Sequence, residues 1–195
     1  AMTASEMFDV PMDQMTPEIR RNAKAINFGV IYGISGFGLA RNLRIPRAEA
    51  QGFIDRYFER FPGIRTYMDD TKAFAKEHGY VQTLFGRRIN TPNIGAKGPQ
   101  AGFAARAAIN APIQGTAADV IRRAMVRMPE AIADLPATML LQVHDELLFE
   151  VEKGAEDALI AAAREVMENA NDPVVKLDVK LIVDAGVGAN WAEAH

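Results

Sequence analysis

Four side chains recur at every fourth position near the start of the chain, and their chemistry changes from cations to aromatic rings. They are Arg20, Lys24, Phe28 and Tyr32. In a helix this spacing puts all four on one slowly winding face, with Arg20 about 12 Å from Phe28 along the axis. That is about the reach from a triphosphate to its base, and cations suit phosphates while rings stack on bases. The stripe predicts a nucleotide-binding face. A core stripe is the alternative, although one would not normally continue into Arg and Lys.

A polar triplet, His144-Asp145-Glu146, separates two apolar runs, Met139 to Val143 and Leu147 to Val151. The pattern predicts two strands and a tight turn, which would present the Asp145 carboxylate without burying it. Since the chain has no cysteine and only scattered histidines, any metal that the chain binds would be a hard cation held by oxygen, such as magnesium. The histidines are His78, His144 and His195. An ordinary polar turn explains the same triplet when it is taken alone.

A second set with a four-residue interval, Arg106, Asn110 and Gln114, lies in the middle of the chain. A helix would place these side chains on one side, where their donors could meet a nucleic acid. An ordinary polar helix face is the alternative. Pro112 lies between Asn110 and Gln114, so a bend is expected within the set.

The remaining signals are mostly helical in the first half and mixed in the second. Helices are predicted from Thr16-Pro17-Glu18 to Gly33, over Pro46–Arg60 and Ile64–Glu77, over Gly102–Ala133, and over Ala155–Asn169. Pro62-Gly63 is expected to end the second helix. A break is expected at Pro112 to Gly115, after which Thr116 to Asp119 has the pattern of a capping box.

Strand signals are fewer. Tyr80 to Leu84 and Arg88 to Thr91 predict a short hairpin around Gly86, and Val179 to Val183 is a further apolar run. A helical half followed by a half with antiparallel strands predicts the α+β class.

Composition indicates a globular chain with an uneven distribution of charge. The 195 residues are 49% hydrophobic and 24% charged, with a net charge of −3. Residues 12–47 carry six basic and two acidic side chains, and residues 84–127 carry seven and one. Residues 145–195 carry four basic and twelve acidic side chains. Two basic stretches could therefore bind a polyanion, although solvated helix faces give the same counts. No apolar run reaches 18 residues, which predicts a soluble protein that is not exported.

Three segments together resemble family A DNA polymerases, and bacterial members in particular. The run from Arg20 to Gly33, RRNAKAINFGVIYG, resembles motif B, the O helix of the fingers. The run from Leu141 to Val151, LQVHDELLFEV, resembles motif C, and Arg106 to Asp119 resembles the helix between the two motifs. The resemblance extends over essentially the whole chain, including its ending from Gly188 to His195.

The resemblance implies an incomplete right-hand polymerase fold, with a fingers portion at residues 1–100 and a palm portion at 101–195. The implied activity is template-dependent addition of dNTPs to a primer 3′ end. Arg20 and Lys24 would hold the dNTP phosphates, with Lys24 also a candidate acid for the pyrophosphate leaving group. Phe28 would stack on the nucleotide, and Tyr32 would guard the templating position.

The resemblance also implies roles for the other two sets. Asp145 would bind the two Mg²⁺ ions of phosphoryl transfer, with Glu146 as a secondary member of that site and His144 as a contact to the primer end. By the same resemblance, Arg106, Asn110 and Gln114 would face the minor groove of the primer-template. The expected location is the bacterial cytoplasm, at the nucleoid.

The sequence departs from the family pattern because motif A, which bears the other essential metal carboxylate, and the thumb are missing. We therefore expect a C-terminal portion of a polymerase, with little activity alone, which needs the upstream remainder as its partner. Self-association through an exposed sheet edge is a further expectation. The alternatives are a single-subunit RNA polymerase, which Phe28-Gly29 argues against, and a nucleic-acid-binding module without catalysis.

Overall fold

The computed structural model describes residues 11–194, and His195 lies outside them. Two compact units divide the chain. The first comprises the residues up to Val81 together with Arg88–Pro112, and the second comprises Gln82–Arg87 and the residues from Ile113 onward. Helices and two small two-stranded sheets make up the fold, which confirms the α+β prediction. Among the described residues, no helix is both long and apolar enough to cross a membrane.

The elements follow one another along the chain in this order. A 3-10 helix at Met12–Gln14 precedes α1 (Pro17–Ile31), α2 (Gly36–Leu43), α3 (Arg47–Arg60), α4 (Pro62–His78), β1 (Tyr80–Gln82), β2 (Arg88–Asn90), α5 (Pro99–Ala131), β3 (Ala137–Val143), β4 (Glu146–Val151), α6 (Glu156–Glu168) and α7 (Trp191–Ala194). The boundary between the two units crosses the β1–β2 hairpin and the middle of α5.

Helix α1 begins and ends as its sequence predicts. The Thr16 hydroxyl accepts a hydrogen bond of 3.2 Å from the backbone N–H of Ile19, and Pro17 occupies the first turn, where its missing N–H costs nothing. The helix ends before Gly33, whose φ of 75° favours a residue without a Cβ. One face, made of Ala23, Ile26 and Val30, is buried.

Helices α2 and α3 pack against that buried face to form the core of the first unit. The cluster unites Ile26 and Val30 with Leu39 of α2 and with Phe53 and Tyr57 of α3. Helix α2 was not predicted, because its sequence, GFGLARNL, is rich in glycine. Its two caps explain its formation: the Ser35 hydroxyl accepts from Gly38 N, and Arg44 adopts a left-handed conformation at the end.

Pro62 lies at the junction of two helices. Helix α3 ends at Arg60, as the sequence predicts, whereas α4 starts at Pro62 and not at Ile64, since proline fits the first turn of a helix. Gly79 closes α4 at a φ of 77°, and the predicted hairpin follows. The Tyr67 hydroxyl of α4 donates to the carbonyl of Ile109, and burial raises the pKa of Tyr67.

Helix α5 contradicts the predicted break, because it runs without interruption through Pro112 to Gly115. The predicted capping box is wrong as well, since its side chains bind the loop at residues 83–87. The Thr116 hydroxyl accepts from Leu84 N at 3.0 Å, and Asp119 pairs with Arg87 at 2.6 Å. Arg87 also donates to the Gly115 carbonyl at 3.0 Å, so the loop is fastened to α5 at three points.

The second unit packs an antiparallel hairpin and α6 around an apolar cluster. Strands β3 and β4 pair from Ala137 with Val151 to Val143 with Glu146, with an irregularity between Met139 and Leu141. Met128, Ile132 and Leu159 are the buried centre of the cluster. The apolar run at residues 179–183 forms no regular element.

The loop fastened by Arg87 generates the first prediction. Replacing Arg87 with Met removes the cationic partner of Asp119, whose side chain is only 13% exposed. We expect the free energy of unfolding to fall by about 1–2 kcal/mol, below the full value of a charge-assisted bond because Arg87 is half-exposed. Urea unfolding measures the change. Arg122→Met on the exposed side of α5 is the control and should change stability by less than about 0.5 kcal/mol. Equal losses of stability in Arg87→Met and Arg122→Met would show that Arg87 does not fasten the loop to α5.

Candidate nucleotide-binding face and carboxylate turn

The four side chains with four-residue spacing lie on the solvent side of α1, with Tyr32 as the residue that caps its end. Arg20, Lys24, Phe28 and Tyr32 are all exposed, whereas the opposite face is buried, so the stripe is not part of the core. The Phe28 and Tyr32 rings stack with centroids 6.4 Å apart and planes 24° apart. The Lys24 ammonium lies 5.8 Å from the Phe28 centroid, within the range of a cation–π contact. Cation and rings thus form one continuous surface.

The pocket beside Tyr32 was missed by the sequence analysis. It is an open cavity of about 700 Å³ in the first unit, formed mainly by residues of α1, α2 and the connection between them. Phe37 is 58% exposed there, and the Arg41 guanidinium lies 5.9 Å from the centre of its ring. The lining includes Gly29, Tyr32, Ser35, Phe37, Arg41 and Arg106. The signal that could have found it is the four-residue spacing from Phe37 to Arg41, which pairs an aromatic ring with a cation.

The members of the second set, Arg106, Asn110 and Gln114, have different environments and do not all belong to the same unit. Arg106 lines the pocket beside Tyr32 and packs closely on Gly33, where an added Cβ would lie 3.2 Å from Arg106 Cγ. Asn110, one turn later on α5, is half-buried, and its Oδ1 is buried without a hydrogen-bond partner among the described residues. Gln114 is exposed and belongs to the second unit.

A two-residue loop presents the predicted carboxylate in the second unit. His144 and Asp145 join β3 to β4, both are exposed, and His144 has a φ of 54°. The side-chain amide of Gln142 donates to the His144 carbonyl and so braces the loop. Glu146, predicted in the turn, instead pairs with Val143 as the first residue of β4 and is half-buried. The loop therefore offers the carboxylate of Asp145 to solvent.

Possible metal ligands are sparse in this part of the protein. Within residues 11–194, no three His, Cys, Asp or Glu side chains come together as a metal-binding group. A carboxylate oxygen is nevertheless a ligand type that Mg²⁺ accepts, and the exposed loop leaves room for water and phosphate oxygens around it.

Comparison with known proteins now identifies the family. The profile of DNA polymerase family A matches residues 1–193, so the chain belongs to that family. The resemblance seen in the motifs of the sequence is thereby confirmed.

Relatives match along the full length of the chain. DNA polymerase I of Rhizobium leguminosarum is 56% identical over 100% of this chain and 20% of its own length. DNA polymerase I of Pseudomonas aeruginosa is 50% identical over 99% of this chain and 21% of its own. The chain thus spans about a fifth of the length of these curated relatives.

A solved structure matches the fold as well. It is described as the POL domain of Pol1 from M. smegmatis in complex with DNA primer-template and dNTP. The TM-score is 0.90 at 46% identity, over 98% of this chain and 34% of that one.

The close contact between Gly33 and Arg106 generates the second prediction. Gly33→Ala places a Cβ at positive φ and within 3.2 Å of Arg106 Cγ. We expect a loss of about 1–2 kcal/mol in the free energy of unfolding, because a left-handed non-glycine residue alone costs about 1 kcal/mol. Urea unfolding checks this. Gly95→Ala is the matched control, since a Cβ there meets nothing within 4 Å. If Gly33→Ala were as stable as Gly95→Ala, position 33 would tolerate a Cβ without strain and the prediction would be wrong.

Proposed function

We propose that this chain carries the nucleotide-binding and metal-binding parts of a DNA-directed DNA polymerase. The reaction adds dNTPs to a primer 3′ end under the direction of a template, in DNA replication and repair. The observation that carries the proposal is the exposed face of α1, where Lys24 lies over Phe28 and Phe28 stacks on Tyr32. Membership in DNA polymerase family A supports it, as does the relative solved with primer-template and dNTP.

On α1 the order of the side chains matches the parts of a nucleotide. Arg20 and Lys24 would bind the phosphates, and Lys24 would donate a proton to the departing pyrophosphate. Phe28 would stack on the incoming nucleotide, and Tyr32 would occupy the templating position until a template base replaces it. All four of these side chains are exposed, so the nucleotide could reach them without any rearrangement of the core of the first unit.

The pocket beside Tyr32 is suited to a base of the template strand. Its volume of about 700 Å³ has room for a nucleoside, and Phe37 offers an exposed ring. Arg41, which also lines the pocket, would meet a phosphate next to such a base. We therefore propose that the template approaches the site across α2.

Asp145 is the residue of this chain that would hold Mg²⁺. Two ions, when bound, would stabilise the charge on the attacking 3′ hydroxyl and on the leaving oxygen of the in-line displacement. Two-metal chemistry needs more than one carboxylate, and we propose that the second comes from polypeptide outside this chain. Glu146 would be a secondary member of this site, and His144 would contact the primer end.

Arg106, Asn110 and Gln114 would face the minor groove of the primer-template. Donors there can test the geometry of a base pair while ignoring its sequence, because every pair presents acceptors in that groove.

We further propose a fingers assignment for residues 1–100 and a palm assignment for 101–195, in a protein of the bacterial cytoplasm that works at the nucleoid. The upstream remainder of the polymerase would be a partner. Without it, Leu140 and Leu141 on β3 are 51% and 43% exposed, and non-native self-association through this strand is expected.

Primer extension provides the third prediction. With Mg²⁺ and four dNTPs, we expect the chain alone to extend little or nothing and the chain with the upstream polypeptide to extend the primer. In the full-length polymerase, Asp145→Asn should lower kcat by about 10³-fold or more, because it removes a metal-binding carboxylate. Asp157→Asn, at an exposed position in the first turn of α6, is the matched control.

Three outcomes would contradict this account. Extension by the chain alone would disprove the need for an outside carboxylate. DNA binding by the full-length protein without extension would favour a non-catalytic binding module. Incorporation of ribonucleotides as readily as deoxyribonucleotides would favour an RNA polymerase.

The exposed rings of Phe28 and Phe37 give the fourth prediction. In the full-length polymerase, Phe28→Ala should raise the KM for dNTP about tenfold, because stacking on a base contributes about 1–3 kcal/mol. Phe37→Ala should instead weaken binding of a template with a single-stranded overhang and leave the KM for dNTP within about twofold, since its ring lines the pocket and not the face of α1. Steady-state kinetics and fluorescence anisotropy measure the two effects. If both variants changed the KM for dNTP and the binding of the template equally, the assignment of Phe28 to the dNTP and of Phe37 to the template would be wrong.

A further inference from the structure

The first unit contains a buried polar contact directly behind the nucleotide-binding face. The Tyr57 hydroxyl of α3 donates to Asn27 Oδ1 of α1 over 2.8 Å. Tyr57 is 2% exposed and belongs to the apolar cluster of this unit, where its ring contacts Phe61 at a centroid distance of 5.0 Å. The donor is therefore held by packing on every side, and a tyrosine side chain has few rotatable bonds with which to move.

Asn27 occupies a special angular position on α1. At about 100° per residue, it lies between the solvent-facing stripe and the buried face, about 20° from the direction of Arg20. It also immediately precedes Phe28 in the sequence. The hydrogen bond to Asn27 therefore holds the same helical turns that carry Lys24 and Phe28.

Apolar packing and this hydrogen bond constrain α1 differently. Contacts of Ile26 and Val30 hold the helix against its neighbours, but the hydrophobic effect has no direction, so these contacts fix the rotation about the helix axis less sharply than a directional bond does. A hydrogen bond weakens steeply when its angle is lost. With side-chain tips about 5–6 Å from the axis, a rotation of about 10° moves a tip by about 1 Å. Displacements of that size are enough to change catalysis substantially.

We propose that Tyr57, acting through Asn27, is a positioning residue that fixes the rotation of α1 and so aims Lys24 and Phe28 at the incoming nucleotide. The inference rests on the proposed function and deepens it. Burial also raises the pKa of Tyr57, so the phenol remains a hydrogen-bond donor into the alkaline range in which an ordinary tyrosine begins to ionise.

The test compares two tyrosines of the same unit in the full-length polymerase. Tyr57→Phe removes the bond to Asn27, whereas Tyr67→Phe removes a bond of equal length, 2.8 Å, from α4 to the Ile109 carbonyl, which does not involve α1. We expect Tyr57→Phe to raise the KM for dNTP five- to tenfold while the Kd for primer-template stays within twofold. Tyr67→Phe should leave both values within twofold at a similar loss of thermal stability.

A double variant shows whether the two groups act through one bond. Asn27→Leu should raise the KM for dNTP as Tyr57→Phe does, and the double variant should be no worse than either single variant, because the same bond is lost in all three. Multiplying effects in the double variant would overturn the proposal. An unchanged KM in Tyr57→Phe with lowered stability would also overturn it, since the bond would then serve stability alone.

A second measurement separates this proposal from the proposed function. Amide hydrogen exchange over residues 24–32 should accelerate at least tenfold in Tyr57→Phe but not in Tyr67→Phe, whether or not the protein extends primers. If the wild-type polymerase is inactive but exchange responds as expected, the proposed function fails and the positioning of α1 by Tyr57 stands. If the polymerase is active and exchange is unchanged, the positioning role is wrong.

Discussion

The burial of one face of α1 is the constraint on which the site depends. Ile26 and Val30 are 0% and 1% exposed, and they commit that side of the helix to the core. Because side chains in a helix repeat about every 3.6 residues, this commitment turns Lys24, Phe28 and Tyr32 toward solvent, and only the fine rotation of the helix is left for other contacts to fix. Removing the core contacts would leave the four functional side chains in the chain but without a fixed orientation. The orientation of the exposed face of α1 therefore depends on the packing of its buried face.

The helix and its active face could be predicted because their determinants are local. Thr16 and Pro17 begin α1, Gly33 follows its end, and a spacing of four residues needs no partner to be recognised. The turn at Asp145 was predictable for the same reason, since two apolar runs bracket it. Such signals survive in a single sequence because propensity, capping and periodicity point to one structure.

The errors lie where tertiary contacts override local chemistry. Pro112 predicted a break, but α5 is continuous, and Thr116 and Asp119 are bound by the loop containing Arg87 instead of capping a helix. The pocket beside Tyr32 was missed because Arg106, more than seventy residues away in sequence, completes its lining. Intrinsic preferences are weak beside such contacts, and nothing in a single sequence announces which distant residues will meet.

The two candidate centres place their functional groups by opposite means. On α1, several side chains must keep fixed mutual distances to match an extended ligand, and a regular helix supplies those distances through its rise and rotation. At Asp145, a single carboxylate must reach outward while its neighbours stay paired, and a two-residue loop between β3 and β4 achieves that with little backbone. A rotation of α1 displaces all the functional side chains on its face together, whereas a shift of one side chain displaces only that group. The position of the loop, by contrast, depends on one hydrogen bond, from the Gln142 amide to the His144 carbonyl. Directional hydrogen bonds therefore matter most where packing alone leaves a degree of freedom, namely the axial rotation of α1 and the tip of the hairpin.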